Sequence, residues 1–135
     1  MEVTAGIIQK DGKILICQRP EGKSLAGFWE FPGGKQEPGE SLESCLKREL
    51  KEELSLKITD INPLYTVHRP ESDLNIHFFT CKPQPNSKPD KLEHQAIQWI
   101  GPDDLKNFSF CPSDSTLIES VPAKHLFQSP NCSKH

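Results

Sequence analysis

Short apolar runs separated by turn signals open the chain. Val3-Thr4-Ala5-Gly6-Ile7-Ile8 and Ile14-Leu15-Ile16-Cys17 have the length and β-branched content of strands, and Lys10-Asp11-Gly12-Lys13 between them holds the Asp-Gly pair of a tight hairpin turn. After a polar loop at 20–27, Phe28-Trp29-Glu30-Phe31 predicts a short strand, closed by a turn at Pro32-Gly33-Gly34. The pattern then becomes helical over about 42–54: Ser41 is placed to cap, Glu43 suits the positive end of the helix dipole, and no Gly or Pro recurs until Pro63. Strand-like segments follow at roughly 57–68, 74–82 and 95–100, with an exposed Pro/Asn/Ser/Lys-rich loop at 83–91. A second helix is expected from near Ser113, capped by Ser113 or Asp114 and burying Leu117, Ile118 and Val121, with Pro122 opposing its continuation. The order β-β-β-α-β-β-β-α predicts a mixed sheet covered by helices, an α/β protein.

The 135 residues are the size of one domain, expected over 1–126 with a polar tail at 127–135. No apolar run approaches the roughly 18 residues needed to cross a bilayer, and no basic-then-apolar start resembles a signal peptide, so no membrane partner is expected. Cys17, Cys45, Cys81, Cys111 and Cys132 are odd in number and form no C-x-x-C pair, which fits reduced thiols in a cytoplasmic protein. A net charge of −3 argues against binding duplex nucleic acid, which needs clustered Lys and Arg, and leaves small phosphate ligands open. Monomer and dimer fit equally. His68, His77, His94, His125 and His135 show no metal-ligand spacing and are assigned no role, while Trp29 and Trp99 are read as core or pocket wall.

The charge picture changes in the middle of the chain, where Gly34-Lys35-Gln36-Glu37-Pro38-Gly39-Glu40 is followed after seven residues by Arg48-Glu49-Leu50-Lys51-Glu52-Glu53. On a helix, Glu49, Glu52 and Glu53 lie at i, i+3 and i+4, so three carboxylates crowd one side and repel one another. A hard divalent cation removes that repulsion: Mg²⁺ takes a few carboxylates and completes its shell with water and phosphate oxygens. Arg48 is placed to orient Glu49 through a two-pronged hydrogen bond, leaving Glu52 and Glu53 for the metal, and Glu40 could reach the same cation. Gly33 and Gly34 permit close backbone approach, so a carbonyl there could ligate metal or an amide could meet phosphate. The same charges would also be compatible with a plain solvated helix face.

From Gly34 to Leu56 the segment resembles the Nudix box: a glycine, five residues, Glu, seven residues, Arg-Glu, an aliphatic, one residue, Glu-Glu, one residue, glycine, an aliphatic. One position departs. Ser55 stands where the box has its final glycine, a helix end where a left-handed backbone costs a side-chain-bearing residue about 1 kcal/mol. The likeness to MutT-type nucleotide hydrolases, including the bacterial CTP pyrophosphohydrolase branch, extends over about residues 3–121 through Gln18-Arg19, Gly27-Phe28-Trp29-Glu30-Phe31-Pro32-Gly33-Gly34-Lys35 and Glu93-His94-Gln95-Ala96.

That resemblance implies an α/β/α Nudix sandwich with Mg²⁺, or Mn²⁺, as cofactor. It implies metal held by Gly33, Glu49, Glu52 and Glu53, with Glu49 activating water, Arg48 supporting it and Glu93 contacting metal water or serving as base. Arg19 and Lys35 would steady phosphate oxygens. Phe31 would sit near the base, or belong to the core, and Asp114 aligns with the residue that reads the base edge, or else only caps a helix. The reaction implied is hydrolysis of a nucleoside triphosphate to monophosphate and pyrophosphate, with oxidised dGTP such as 8-oxo-dGTP first and CTP, dCTP or modified cytidine nucleotides as the alternative. A non-catalytic oxidised-base-binding module is disfavoured, because the carboxylates are complete. The partner expected is a small-molecule nucleotide.

Overall fold

The computed structural model describes residues 1–128. Its elements are strands β1 (Glu2–Lys10), β2 (Lys13–Gln18), β3 (Trp29–Glu30) and β4 (Gly33–Lys35), helix α1 (Leu42–Leu54), strands β5 (Ile58–Arg69), β6 (Leu74–Pro83) and β7 (Ala96–Ile100), and helices α2 (Pro112–Ser120) and α3 (Ala123–Phe127). A single 3₁₀ turn at Pro70–Ser72 joins β5 to β6, and a two-turn 3₁₀ segment at Pro102–Asn107 follows β7.

The hairpin forms as its sequence predicts: Asp11 and Gly12 both take positive φ, 52° and 77°, the pair of conformations that matches strand twist in a two-residue turn. β1 is the hub. It runs parallel to β6 from Glu2 to Ile8, antiparallel to β4, and meets β2 only at the turn end. β5 extends the sheet antiparallel to β6, and β2 carries β3 and β7. The sheet is therefore mixed, as expected.

Alternation along β1 divides the core into two layers. Ala5 and Ile7 face a cluster with Phe78, Leu117, Leu126 and Phe127, whereas Ile8 faces Leu46, Leu50, Leu54 and Phe79. Helix α1 covers one face of the sheet and α2 with α3 the other, giving the α/β/α sandwich. Gly6 lets α1 sit close, since a Cβ there would lie 3.3 Å from the Cδ1 atoms of both Leu46 and Leu50.

Four expectations need amendment. Gly33-Gly34 is not a turn but the short strand β4, extended against Thr4 and Ala5. Helix α2 begins at Pro112, with Cys111 as N-cap, so Asp114 lies inside the first turn and neither it nor Ser113 is the cap. Pro122 ends α2 and then starts α3, a helix the hydrophobic pattern did not reveal. Phe127, expected in the tail, is buried in α3, while residues 129–135, including Cys132 and His135, lie outside the described part. Among the described residues Cys17, Cys45, Cys81 and Cys111 are free thiols, all buried, and no helix is long and apolar enough to cross a membrane.

Candidate active site

Helix α1 is anchored at its start by Ser41, whose Oγ accepts the Ser44 N–H at 3.1 Å. Its end is closed by Ser55, which takes the left-handed conformation (φ 52°, ψ 34°) of the glycine it replaces and donates its N–H to the Lys51 carbonyl at 2.9 Å, while the Leu56 N–H reaches the Leu50 carbonyl at 3.3 Å. Between these caps, Leu46, Leu50 and Leu54 bury one stripe and turn Arg48, Glu49, Glu52 and Glu53 toward β4 and the loop before β7.

Arg48 is the hub of the first part of the site. Its two-pronged partner is Glu40, with Nε to Oε2 at 2.7 Å and Nη2 to Oε1 at 3.0 Å, rather than Glu49 as the sequence suggested. Nη2 also donates to the Lys35 carbonyl and Nη1 to Glu52, both at 3.0 Å. Glu49 lies 3.4 Å from Nη1, a looser contact. The hydrogen bonds from Arg48 and from the Glu37 backbone hold the Glu40 carboxyl down at about 2. Glu40 is thus spent on Arg48, and Glu52, half exposed, also leans on that guanidinium.

The second part is drier. Glu53 is 8% exposed, and burial followed by the charges of Glu49, Glu30 and Glu93 pushes its carboxyl up to about 9, against a hydrogen bond from the Gly33 backbone. Burial also raises Glu49, which the Arg48 charge opposes. Gly33 is required by proximity, since a Cβ there would overlap the Thr4 carbonyl oxygen, whereas a Cβ on Gly34 would displace the Glu49 carboxylate from its present place. Glu93 is exposed in the loop whose backbone is pinned to α1 by Asp90 N–H to Leu54 O at 2.7 Å. Among the described residues no three carboxylate, imidazole or thiolate groups already converge on one point.

Two residues here were given no role from the sequence. Glu30 on β3 pairs with Arg19 Nη1 at 3.0 Å and with His94 Nε2 at 3.1 Å, and His94, assigned no role above, also reaches Glu53 Oε1 at 3.5 Å. A charge inside the apolar run Phe28–Phe31 was the available signal for Glu30; nothing in spacing pointed to His94.

Beside the carboxylates lies a cleft of about 460 Å³ lined by Arg19, Leu25, Glu30, Arg69, Cys111 and Ser113, among others. Arg69, also missed, ends β5 and donates from Nε to Ser113 Oγ at 2.7 Å. A larger hollow of about 670 Å³ near Gln84 and Phe127 contains none of the carboxylates and has no part in this chemistry.

Phe31 is 3% exposed, stacked on Phe110 at 5.6 Å and edge-on to Phe78, so its ring is core and the stacking role falls away. Its backbone N–H instead donates to Asp114 Oδ1 at 3.0 Å. Asp114 is 8% exposed behind the cleft wall; burial pushes its carboxyl up to about 7, with the Phe31 bond opposing and Glu30 assisting. Lys35 is exposed at the end of β4. Glu53 therefore lies against the Gly33 backbone with the charges of Glu49 and Glu93 acting on it, Arg48 and Glu52 border them, Arg19 lines the cleft, and Asp114 stands behind it.

Residues 3–120 match the NUDIX domain family. The chain is 40% identical over 124 residues to the CTP pyrophosphohydrolase of Escherichia coli K12, covering 91% of this chain and 92% of that one. To the 8-oxo-dGTP diphosphatase of Buchnera aphidicola it is 34% identical over 129 residues, covering 93% and 96%. A solved MutT structure, from work on the Aliivibrio salmonicida and Vibrio cholerae proteins, superposes with a TM-score of 0.78 at 33% identity, covering 91% of this chain and 97% of that one. With the Arg48–Glu53 helix and the β4 glycines inside the matched span, and a sandwich that superposes on MutT, this chain belongs to the Nudix family.

Proposed function

We propose that the protein is a Mg²⁺-dependent nucleoside triphosphate pyrophosphohydrolase that releases monophosphate and pyrophosphate and clears oxidised nucleotides such as 8-oxo-dGTP from the cytoplasmic pool. The observation that carries this reading is Glu53: a buried carboxylate pressed among Glu49, Glu30 and Glu93 and against the Gly33 backbone. Such a group is costly alone and suits a hard cation. Nudix enzymes generally use a divalent metal, and this all-oxygen donor set favours Mg²⁺, with Mn²⁺ as substitute.

Glu49, Glu53 and the Gly33 carbonyl would hold the ion, and Glu52 would join them if its contact with Arg48 were given up. The ion supplies neutralisation of the polyphosphate and a more acidic attacking water. Glu49 or Glu93 takes the proton of that water, and Arg48, fixed by Glu40, keeps the helix carboxylates in place. Arg19 and Lys35 bind phosphate oxygens, Arg19 exchanging its Glu30 contact for substrate. By family analogy the attack falls on the β-phosphorus.

Asp114 carries base selection in this reading. Its Oδ1 is occupied by Phe31, so Oδ2 is the oxygen left for a base. Raised to about 7, the acid proton can sit there and donate to a guanine-type edge; ionised, it accepts from the exocyclic amine of cytosine. The second behaviour favours the CTP, dCTP or modified-cytidine alternative, which the Escherichia coli relative also supports. The test is Mg²⁺-dependent pyrophosphate release from 8-oxo-dGTP, dGTP, CTP, dCTP and 5-methyl-dCTP, with Glu53→Gln as blank. Highest kcat/KM for 8-oxo-dGTP is expected; a cytidine preference supports the alternative, and no metal-dependent turnover overturns both.

A further inference from the structure

Glu30 and Glu53 are two carboxylates from different elements, β3 and α1, held close in a dry place. Like charges so placed push apart unless a donor is fixed between them. Arg19 reaches Glu30 from the cleft side. The donor that reaches both is His94, with Nε2 3.1 Å from Glu30 Oε2 and 3.5 Å from Glu53 Oε1.

We propose that His94 is a positioning residue that orients the Glu53 carboxylate toward the divalent cation by holding Glu30 beside it, an inference that rests on Glu53 being a metal ligand. The imidazole is 4% exposed, and its other nitrogen, Nδ1, is buried without a partner, so all its polar work is done through Nε2. With the ionised Glu30 carboxylate 3.1 Å in front of it, Nε2 carries a hydrogen. One N–H cannot point along two directions, and the shorter contact takes it: Glu30 is held, while Glu53 keeps its lone pairs for the cation. The ring itself is fixed from both sides of the loop, because Leu92 N–H donates to Glu53 O at 3.3 Å and Gln95 N–H to Gln18 O at 2.9 Å. Outer-shell donors of this kind tune metal affinity by about 10–100-fold.

The two amide replacements separate positioning from packing. Asn places its amide where Nδ1 stands and leaves the Nε2 position empty; Gln carries its amide to the Nε2 position. The experiment titrates Mn²⁺ alone into the native protein, His94→Asn, His94→Gln and Glu53→Gln, reading free Mn²⁺ by electron paramagnetic resonance, with far-ultraviolet dichroism as the check of folding. Expected are a loss of about tenfold or more in Mn²⁺ affinity for His94→Asn, recovery to within about threefold for His94→Gln, and a large loss for Glu53→Gln. Equal affinities of the Asn and Gln variants, whether both native-like or both weak, with Glu53→Gln impaired, overturn the inference and leave the metal reading intact. Native Mn²⁺ affinity in Glu53→Gln removes the metal reading itself.

Discussion

The two halves of α1's charged surface are built from the same residue types and resolved in opposite ways. Around Arg48 the protein supplies its own counter-charge: one guanidinium serves Glu40, Glu52 and the Lys35 carbonyl, and the Glu40 carboxyl is held at about 2. One turn further on, Glu53 faces Glu49, Glu30 and Glu93 and is pushed up to about 9. The first half is a finished buckle that fixes the loop before α1 to the helix. The second is left electrostatically incomplete, and incompleteness in a buried place is what marks a site for a ligand.

The sharpest way to break that contrast is Glu53→Gln. It keeps the shape and an acceptor oxygen while removing the charge, so Mg²⁺-dependent pyrophosphate release should fall by about three orders of magnitude. Stability of the metal-free protein should hold or rise, because the folded state no longer has to keep a proton on a carboxyl raised to about 9 that the unfolded chain gives up near 4.5. Thermal unfolding without metal, run beside the activity assay, checks both signs at once; a variant that loses turnover by unfolding contradicts the contrast. The next effect is at the buckle. Arg48→Lys keeps the charge but loses the planar fork that serves Glu40 and Glu52 together, and turnover should drop by about 10–100-fold. Glu40→Gln should reproduce part of that loss if the buckle acts through position, and kcat rather than KM should carry it.

How much of this could be read from sequence follows from what each signal depends on. Strands and helix α1 were legible because periodicity and caps are local: Asp11-Gly12, Ser41 and the Leu46-Leu50-Leu54 stripe all decide their conformations within a few residues. The three helix carboxylates were legible for the same reason. What escaped was set by neighbours far along the chain. β4 is a strand because Thr4 and Ala5 accept its backbone closely, and no property of Gly-Gly announces that. Glu40 captures Arg48 across eight residues, so the partner of the fork was misjudged. His94 meets Glu30 across 64 residues, and Arg69 meets Ser113 across 44, contacts no spacing rule encodes. Phe31 was ambiguous because a buried ring and a stacking ring have the same sequence; Phe78 and Phe110 decide for the core.

Asp114 sharpens the comparison as a second buried carboxyl beside Glu53, costly through burial more than through crowding, and partly answered by Phe31. Its folded value of about 7 lies above the ordinary 3.8. A raised carboxyl means the folded state holds the proton more tightly, so the stability it permits is full below about pH 4 and is lost as pH rises through 7. Asp114→Asn keeps the acceptor for Phe31 and removes the titration. It should match the native protein near pH 4 and exceed it at pH 8 by ~2–3 kcal/mol, after allowing for relaxation around the charge. Urea unfolding at the two pH values tests this, and an unchanged difference between them counts against the burial argument. The same variant, assayed on 8-oxo-dGTP and CTP, shows whether the acid or its ionised form selects the base.

The smallest effect concerns the backbone that ends the incomplete half. Ser55 holds φ at 52°, where a Cβ crowds its own carbonyl, and it does so because its N–H and that of Leu56 close the last turn of α1 on the Lys51 and Leu50 carbonyls. Glycine reaches that conformation without strain but loses more chain entropy on folding. The two terms oppose, and strain is the larger, so Ser55→Gly should stabilise by ~0.5–1 kcal/mol in urea unfolding. Glu53 lies two residues before this cap, yet its surroundings come from Gly33, Glu30 and His94 and not from residue 55. Mg²⁺-dependent turnover should therefore stay within about twofold of native. A Ser55→Gly protein that is more stable but markedly slower would mean that the strained cap sets the carboxylate geometry, and the division of α1 into a self-neutralised half and a ligand-seeking half would have to include its backbone end.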